Sequence, residues 1–484
     1  MKSPPGDSVL LMALSAVYLV TRLPFMVLMP FIQDEAIYAI MIEEQAAKFT
    51  LIPTFLGFPV SWKPVLFFWL NVLPSRLDLP LEVAYRFPSL LFGLATIPLL
   101  FRLLKNAGAS SSMAFYSLLI FSFSMFTLYP QTTLLLDSMA FFLICLSLWL
   151  YSEKKIGKAR FLGAAAAAAA AFLVKLVIAF MIPLLAVAYF LQCDKKMLKD
   201  RAFLLSLIAV PLSFFAYGML LGGAGLAGET ATEVGNHLLN PLGLDAQVNQ
   251  LVVSFLMLVL SGNIIWISFS LVGFLTSWKE NLFLSAWFLF TIFPFLGAAM
   301  LPWYYLPVMP AVGYFACIPL LMWKGKEKPD KVFKVFLALL IVFVSVATLY
   351  SYWLLKDFND YREAGSFLSG KENVLIVGQY IPSVVAYKIL PELRSGRRID
   401  FGWIAFPDNL SADYSPVYAA DYHSGRFHAV DGSFSSMFVE KSVFRKETNI
   451  TKFDYVAVLG SENLTLPGRD IVFNRSGVII YAGG

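Results

Sequence analysis

Long apolar stretches, separated by short charged or Pro/Gly-containing breaks, recur from the N-terminus to about residue 355. Runs of this length match a hydrocarbon layer about 30 Å thick. They predict eleven spans, at roughly 8–30, 86–104, 112–130, 133–151, 161–174, 177–192, 202–222, 250–273, 281–300, 303–323 and 333–355. The first stretch is too long for a signal-peptide core and lacks a clear small-residue cleavage site, so it reads as a span. Beyond residue 355 the pattern changes. Residues 356–484 show alternating polarity, frequent turn residues and no run near spanning length. Strands are predicted at 373–378, 453–460 and 472–481, with a helix near 382–390. This describes a membrane domain over 1–355 followed by a soluble α/β domain over 356–484. No phosphate-binding glycine pattern surrounds Gly378.

Composition supports lipid as the solvent. The chain is 58% hydrophobic and only 14% charged, with a mean hydropathy of +0.71. A net charge of +5 could point to nucleic acid, but its distribution points elsewhere. The last 129 residues hold 14 Lys/Arg against 15 Asp/Glu, and the membrane part holds 23 against 17. Of those 23 cations, 17 fall in alternate short loops, from Lys2 through Arg102, Lys105 and the clusters at 154–160, 195–201 and 324–334. Short loops rich in Lys/Arg stay cytoplasmic, which places the N-terminus inside and, with an odd span count, the terminal domain outside. Four sequons at Asn409, Asn449, Asn463 and Asn474 all lie in that domain, in agreement. Cys145, Cys193 and Cys317 offer neither a disulfide framework nor metal-ligand spacing.

Six cations depart from the topology rule: Arg22, Lys48, Lys63, Arg76, Arg86 and Lys175 fall on the outer side or at its boundary. The long outer loop from about Phe31 to Tyr85 adds Asp34, Glu35, Glu43, Glu44, Asp78 and Glu82 between strongly apolar segments. Short amphipathic helices lying at the membrane surface are predicted there. Asp34 and Glu35 allow two readings. A carboxylate at a lipid boundary can act as a base or join a metal site; an acidic pair can equally cap the helix that begins at Ala36. Arg22 and Arg86 likewise either bind an anion or extend to lipid headgroups. Asp137 is the sole acid between Glu82 and Glu153. It is read either as the partner of Lys63 or Lys175 or as a cap on the fourth span.

The ordered set Arg22-Leu-Pro, Asp34-Glu35-Ala-Ile-Tyr38, Lys63-Pro64-Val-Leu-Phe-Phe-Trp69 and Arg86-Phe-Pro-Ser89 resembles one superfamily. So do Leu136-Asp137-Ser138-Met139, the alanine-rich fifth span followed by Lys175, and Tyr304-Tyr305-Leu-Pro307-Val-Met-Pro310. This is the GT-C glycosyltransferases, in particular the protein O-mannosyltransferases and lipid A aminoarabinose transferases. The resemblance covers roughly residues 15 to 320. It implies an inverting enzyme that moves a sugar from a polyprenyl-phosphate donor to a protein, lipid or glycan acceptor on the non-cytoplasmic face. It further implies that Asp34 is the base or acceptor-orienting carboxylate with Glu35 in support. Lys63, Arg86 and Lys175 become the cations for the phosphate leaving group, and Asp137, Tyr38, Tyr304 and Tyr305 supporting residues. The chain departs from the family at Lys63-Pro-Val, where Pro-Pro is frequent, and at Lys175-Leu, where Gly is frequent; no charge is lost at either place.

Glu229, Glu233 and His237 follow at four-residue spacing in the loop at 223–249, so a helix would align them. With Asp34 or Glu35 they could ligate a divalent metal, the one cofactor the sequence raises. A polytopic transporter or lipid flippase is the rival function. Against it, no internal duplication is visible and the charges gather at one face.

Overall fold

A computed structural model describes residues 6–55, 58–61, 63–155, 157–176, 178–225, 263–292, 302–322, 338, 345, 349, 357–371, 374–378, 381–395, 417–421, 426–430, 454–459, 468–475 and 478–482. The chain divides into two compact units, one of residues 1–27, 86–225 and 234–350, the other of residues 28–85, 226–233 and 351–484.

The first unit is helical. It contains α1 (Asp7–Leu28), most of α4 (Leu81–Asn106), α5 (Ser111–Phe123), α6 (Met125–Thr132), α7 (Leu136–Ser152), α8 (Ala159–Val174), α9 (Met181–Cys193), α10 (Arg201–Leu207) and α11 (Ala209–Gly223). After the next described residues come α12 (Asn263–Ser277), α13 (Leu282–Ile292) and α14 (Met309–Met322), the last preceded by a 3-10 turn over Pro302–Val308. Among the described residues, three helices are long and apolar enough to cross a membrane: Asp7–Leu28, Leu81–Asn106 and, counting α10 and α11 as one, Arg201–Gly223. A fourth is formed if α5 and α6, bent by 65° at Ser124, count as one span. The remaining apolar helices are shorter, and the spans predicted at 250–273, 281–300, 303–323 and 333–355 lie partly or largely outside the described residues.

Several buried hydroxyls in this unit bond to carbonyls of their own helices, which spares them an unpaired burial in an apolar medium. Ser117 donates to the Met113 carbonyl at 2.7 Å, Thr96 to Phe92 at 2.7 Å and Thr132 to Leu128 at 2.8 Å. Small residues allow the closest crossings. Ala164, Ala167, Ala168 and Ala171 of α8 are buried, and Ser147 of α7 donates to the Ala164 carbonyl at 2.8 Å. On α14, a Cβ at Gly313 would stand 2.5 Å from the Ser117 carbonyl oxygen of α5. At Gly273 of α12 it would stand 1.9 Å from that of Phe315 on α14.

The second unit joins the loop after α1 to the C-terminal residues. The loop supplies α2 (Gln33–Ala47), a short hairpin of β1 (Thr54–Phe55) and β2 (Phe58–Pro59), and α3 (Leu66–Ser75). The C-terminal part supplies α15 (Asp357–Leu368), α16 (Ile381–Arg394) and a four-stranded sheet. That sheet is built from β3 (Val374–Gly378), β6 (Tyr455–Leu459), β7 (Asp470–Arg475) and β8 (Val478–Ala482), ordered β3-β6-β8-β7. The β3/β6 pair is parallel and the other two antiparallel. The strand predicted at 472–481 is thus two strands, β7 ending at Arg475 and β8 beginning at Val478. A separate hairpin, β4 (Val417–Asp421) with β5 (Arg426–Val430), was not predicted at all.

The predicted surface helices of the outer loop need correction. On α3 the expectation fits, with Phe67, Phe68 and Asn71 buried and Leu70 and Leu73 exposed. On α2 it does not, because every residue from Ala36 to Glu43 is buried. α3 and α16 both pack against α2, so the apolar run Ala36–Ile42 is a protein core rather than a lipid-facing stripe. Of the four sequons, Asn474 lies on β7 and is exposed; Asn409, Asn449 and Asn463 lie outside the described residues.

Candidate functional site

In the first unit, three residues singled out from the sequence meet. Asp137 sits in the first turn of α7, and Lys175 follows the last residue of α8. Their packed helices bring Lys175 Nζ to 2.5 Å from Asp137 Oδ1. The same ammonium lies 4.2 Å from the centroid of the Tyr304 ring, a cation–π arrangement. The Lys175 side chain retains 19% exposure while that of Asp137 retains 5%. The carboxylate is therefore the deeper partner and Lys175 the more exposed one. Tyr305, the next residue, stacks on Phe126 of α6 with centroids 4.6 Å apart. Of the two partners offered for Asp137, Lys175 is thus the one it pairs with.

Arg86 is fully buried in α4 and donates from Nη1 to the Met26 carbonyl at 3.1 Å. That carbonyl belongs to the last turn of α1, where a cation is favoured by the helix dipole. Arg22 is also fully buried. Its guanidinium donates to Thr21 at 2.6 Å, Thr127 at 3.2 Å and Gln131 at 3.4 Å, and covers the Tyr18 ring at 4.6 Å. Neither arginine extends to headgroups; both are buried within the protein.

In the second unit, Asp34, Glu35 and Tyr38 lie on α2. Glu35 is buried and accepts from the Ile32 N–H at 3.2 Å, so it caps its own helix. Asp34, one residue earlier, is half-buried in the first turn. The cap reading thus holds for Glu35. Tyr38 is buried edge-on against Phe67 and Phe68 at 6.0 and 5.9 Å, a packing position. Lys63 precedes α3 and is half-buried.

The sequence reading attached no role to two further carboxylates in this unit. Glu43 is buried, accepts from the Tyr85 hydroxyl at 2.6 Å and pairs with Arg76 at 2.8 Å. Glu82 accepts from the Tyr387 hydroxyl at 2.9 Å and faces Arg362 at 3.5 Å. Tyr387 itself was missed; its place in the predicted helix near 382–390 was the only available signal. Glu233 and His237 lie outside the described residues. Among the described residues no group of His, Cys, Asp and Glu could hold a metal ion.

The structure matches that of ArnT from Cupriavidus metallidurans bound to undecaprenyl phosphate, with a TM-score of 0.63 over 98% of this chain and 97% of that one, at 14% identity. The fold is thus like that of this ArnT structure. The apo state of ArnT matches with a TM-score of 0.62 at 15% identity, over the same shares of the two chains. An oligosaccharyltransferase from Archaeoglobus fulgidus is more distant, with a TM-score of 0.48 at 12% identity over 79% of this chain and 63% of its own. The family model described as dolichyl-phosphate-mannose-protein mannosyltransferase matches residues 62–218 of the chain, a segment that includes Lys63, Arg86, Asp137 and Lys175. No curated protein matches the sequence. The resemblance carried by the motifs therefore recurs in a family match and in a fold match spanning nearly the whole chain.

Proposed function

We propose that this chain is an inverting glycosyltransferase that takes a sugar from a polyprenyl-phosphate donor and passes it to a protein, lipid or glycan acceptor on the outer membrane face. The observation that carries the reading is Lys175: an ammonium at the end of α8 steadied by Asp137 and the Tyr304 ring, on a side chain that keeps 19% exposure. In transfer, an acceptor oxygen forms a bond to the anomeric carbon while the bond from that carbon to the phosphate oxygen breaks. The phosphate leaves with the electron pair, so negative charge grows on it in the transition state. Preorganised cations stabilise that charge more than they stabilise the ground state. Lys175 is the first such cation in our reading, with Lys63 and Arg86 beside it in role.

Asp34 takes the acceptor proton, or orients the acceptor oxygen, and Glu35 supports it by fixing the start of α2. The eleven-span topology, the cytoplasmic N-terminus, and the division into a membrane domain over 1–355 and an extracytoplasmic domain over 356–484 belong to the same proposal. The undecaprenyl phosphate of the similar ArnT structure supports a lipid-phosphate partner here. The transporter reading is weaker, because it gives no account of a Lys–Asp pair held at the ends of two packed helices.

The test is sugar transfer in membranes or detergent with a panel of polyprenyl-phosphate sugars, comparing the parent with Asp34→Asn, with and without chelator. Transfer by the parent and loss of turnover in a folded, donor-binding Asp34→Asn protein is the expected result. Equal turnover in the two proteins would reduce Asp34 to a helix cap, and no transfer by the parent from any donor would reject the enzyme reading.

A further inference from the structure

We infer that Tyr387 of the C-terminal region is a positioning residue for the helix that carries Asp34. The inference rests on the glycosyltransferase reading for its catalytic consequence, but its structural core does not. Tyr387 lies on α16 and is buried. Its hydroxyl accepts from the Phe31 backbone N–H at 2.6 Å and donates to Glu82 Oε1 at 2.9 Å. One hydroxyl thus ties together the residue that leads into α2 and the first turn of α4. Phe31 stands three residues before Asp34, so its amide fixes where α2 begins.

The tie is held from every side. The Phe31 ring stacks on the Tyr387 ring at 5.5 Å and meets Tyr85 edge-on at 5.7 Å. Glu82 is held in turn by Arg362 of α15 at 3.5 Å. Helix α15 approaches α16 through Gly365, where a Cβ would come within 2.4 Å of the Val384 carbonyl oxygen and 2.6 Å of Tyr387 Cβ. Any side chain at Gly365 would displace Tyr387. A hydroxyl donating to a carboxylate is also polarised into a better acceptor, which strengthens its grip on the Phe31 amide. Core packing alone needs the ring but not the oxygen; the oxygen's placement on a backbone amide at the start of α2 is what assigns the role. The C-terminal region therefore helps set the geometry of a catalytic helix, beyond forming a sheet of its own.

The experiment uses the full-length protein in detergent. Tyr387→Phe keeps the ring stack and deletes the oxygen, and hydrogen exchange of the segment spanning residues 29–36 is followed alongside sugar transfer. Expected are faster exchange at the Phe31 amide and a fall in kcat of about tenfold to a hundredfold, the scale on which a misplaced catalytic group is felt. The KM for the polyprenyl-phosphate sugar should stay within about twofold of the parent. A control, Glu363→Gln, breaks an exposed ion pair with Arg475 in the same C-terminal region and should change neither readout. Unchanged exchange in Tyr387→Phe, or faster exchange with an unchanged kcat, overturns the inference; so does an equal fall in the control. If Tyr387→Phe does not fold, Glu82→Ala removes the other half of the tie and carries the same expectation. A parent that transfers no sugar rejects the enzyme reading, while the exchange result still decides whether Tyr387 holds the start of α2.

Discussion

Lys175 Nζ lies 2.5 Å from Asp137 Oδ1, and the two residues come from facing ends of α8 and α7. The pair is asymmetric: the acid is deeper than the base. Removing the acid leaves an ammonium without its anchor, whereas removing the base leaves a buried carboxylate without compensation. Lys175→Ala should therefore abolish most turnover, by roughly 10²–10³-fold, the loss typical when one preorganised transition-state donor is deleted. Asp137→Asn should cost less, because an amide oxygen can still accept from Lys175. The measurement is steady-state transfer by both variants after each has been shown to be monodisperse. Equal turnover in Lys175→Ala and the parent would remove Lys175 from the reaction.

Arg22 illustrates a different way to keep a charge inside a helical unit. Its guanidinium is surrounded by neutral groups: the hydroxyls of Thr21 and Thr127, the amide oxygen of Gln131 and the Tyr18 ring. These partners come from α1 and α6, so the arginine pins the short α6 segment that follows the 65° bend. Lysine has the charge but not the planar fork needed to reach Thr127 and Gln131 together. Arg22→Lys should accordingly behave like Arg22→Met, both lowering the melting temperature in detergent relative to the parent. Full thermal stability in Arg22→Lys would show that the charge alone suffices.

Glu43 offers a prediction confined to the outer loop and its neighbours. The carboxylate is buried, with the Tyr85 hydroxyl at 2.6 Å and Arg76 at 2.8 Å. Arg76 is itself exposed at the surface of the unit. Truncating the buried partner opens a void and strands the Tyr85 hydroxyl, the unpaired hydroxyl alone costing about 1–3 kcal/mol. Truncating Arg76 leaves Glu43 its bond to Tyr85 and admits solvent to the other oxygen. Glu43→Ala should thus be markedly more destabilising than Arg76→Ala, as read from the chemical denaturation midpoint. The reverse order would mean that Arg76 carries the interaction.

These residues also show what the sequence could reveal. Asp137 and Lys175 were legible because charged residues are scarce in apolar stretches, so each one advertises a role. The helices of the first unit were legible for the same reason: a hydrophobic run longer than ten residues has few alternatives. The fate of α2 was not. Its apolar run looks the same whether lipid or protein covers it, and α16, which covers it, lies more than 300 residues away in the chain. Tyr387 and Glu82 were illegible on similar grounds, since a tyrosine in a helix and a glutamate near a span end are ordinary until the tertiary fold joins them. The bend at Ser124 was hidden because Ser-Met-Phe carries no proline or glycine; the structure makes it through Ser124, whose hydroxyl accepts from the Phe126 N–H at 3.2 Å.

Gly313 supplies a last prediction, about packing rather than charge. A Cβ built there would sit 2.5 Å from the Ser117 carbonyl oxygen and 3.2 Å from its carbon, both backbone atoms of α5. A flexible side chain could move aside, but a helix backbone cannot yield without shifting its neighbours. The Ser117 hydroxyl, already bonded to Met113 at 2.7 Å, would shift with it. Overpacking of a well-filled interior costs roughly 1–3 kcal/mol, and a clash with backbone belongs at the upper end. Gly313→Ala should therefore lower the melting temperature in detergent. Gly218→Ala, on α11 with nothing within 4 Å of the added carbon, should leave it unchanged or raise it slightly, because alanine is the better helix former. Equal melting temperatures for the two variants would mean that α5 and α14 do not cross as closely as Gly313 permits.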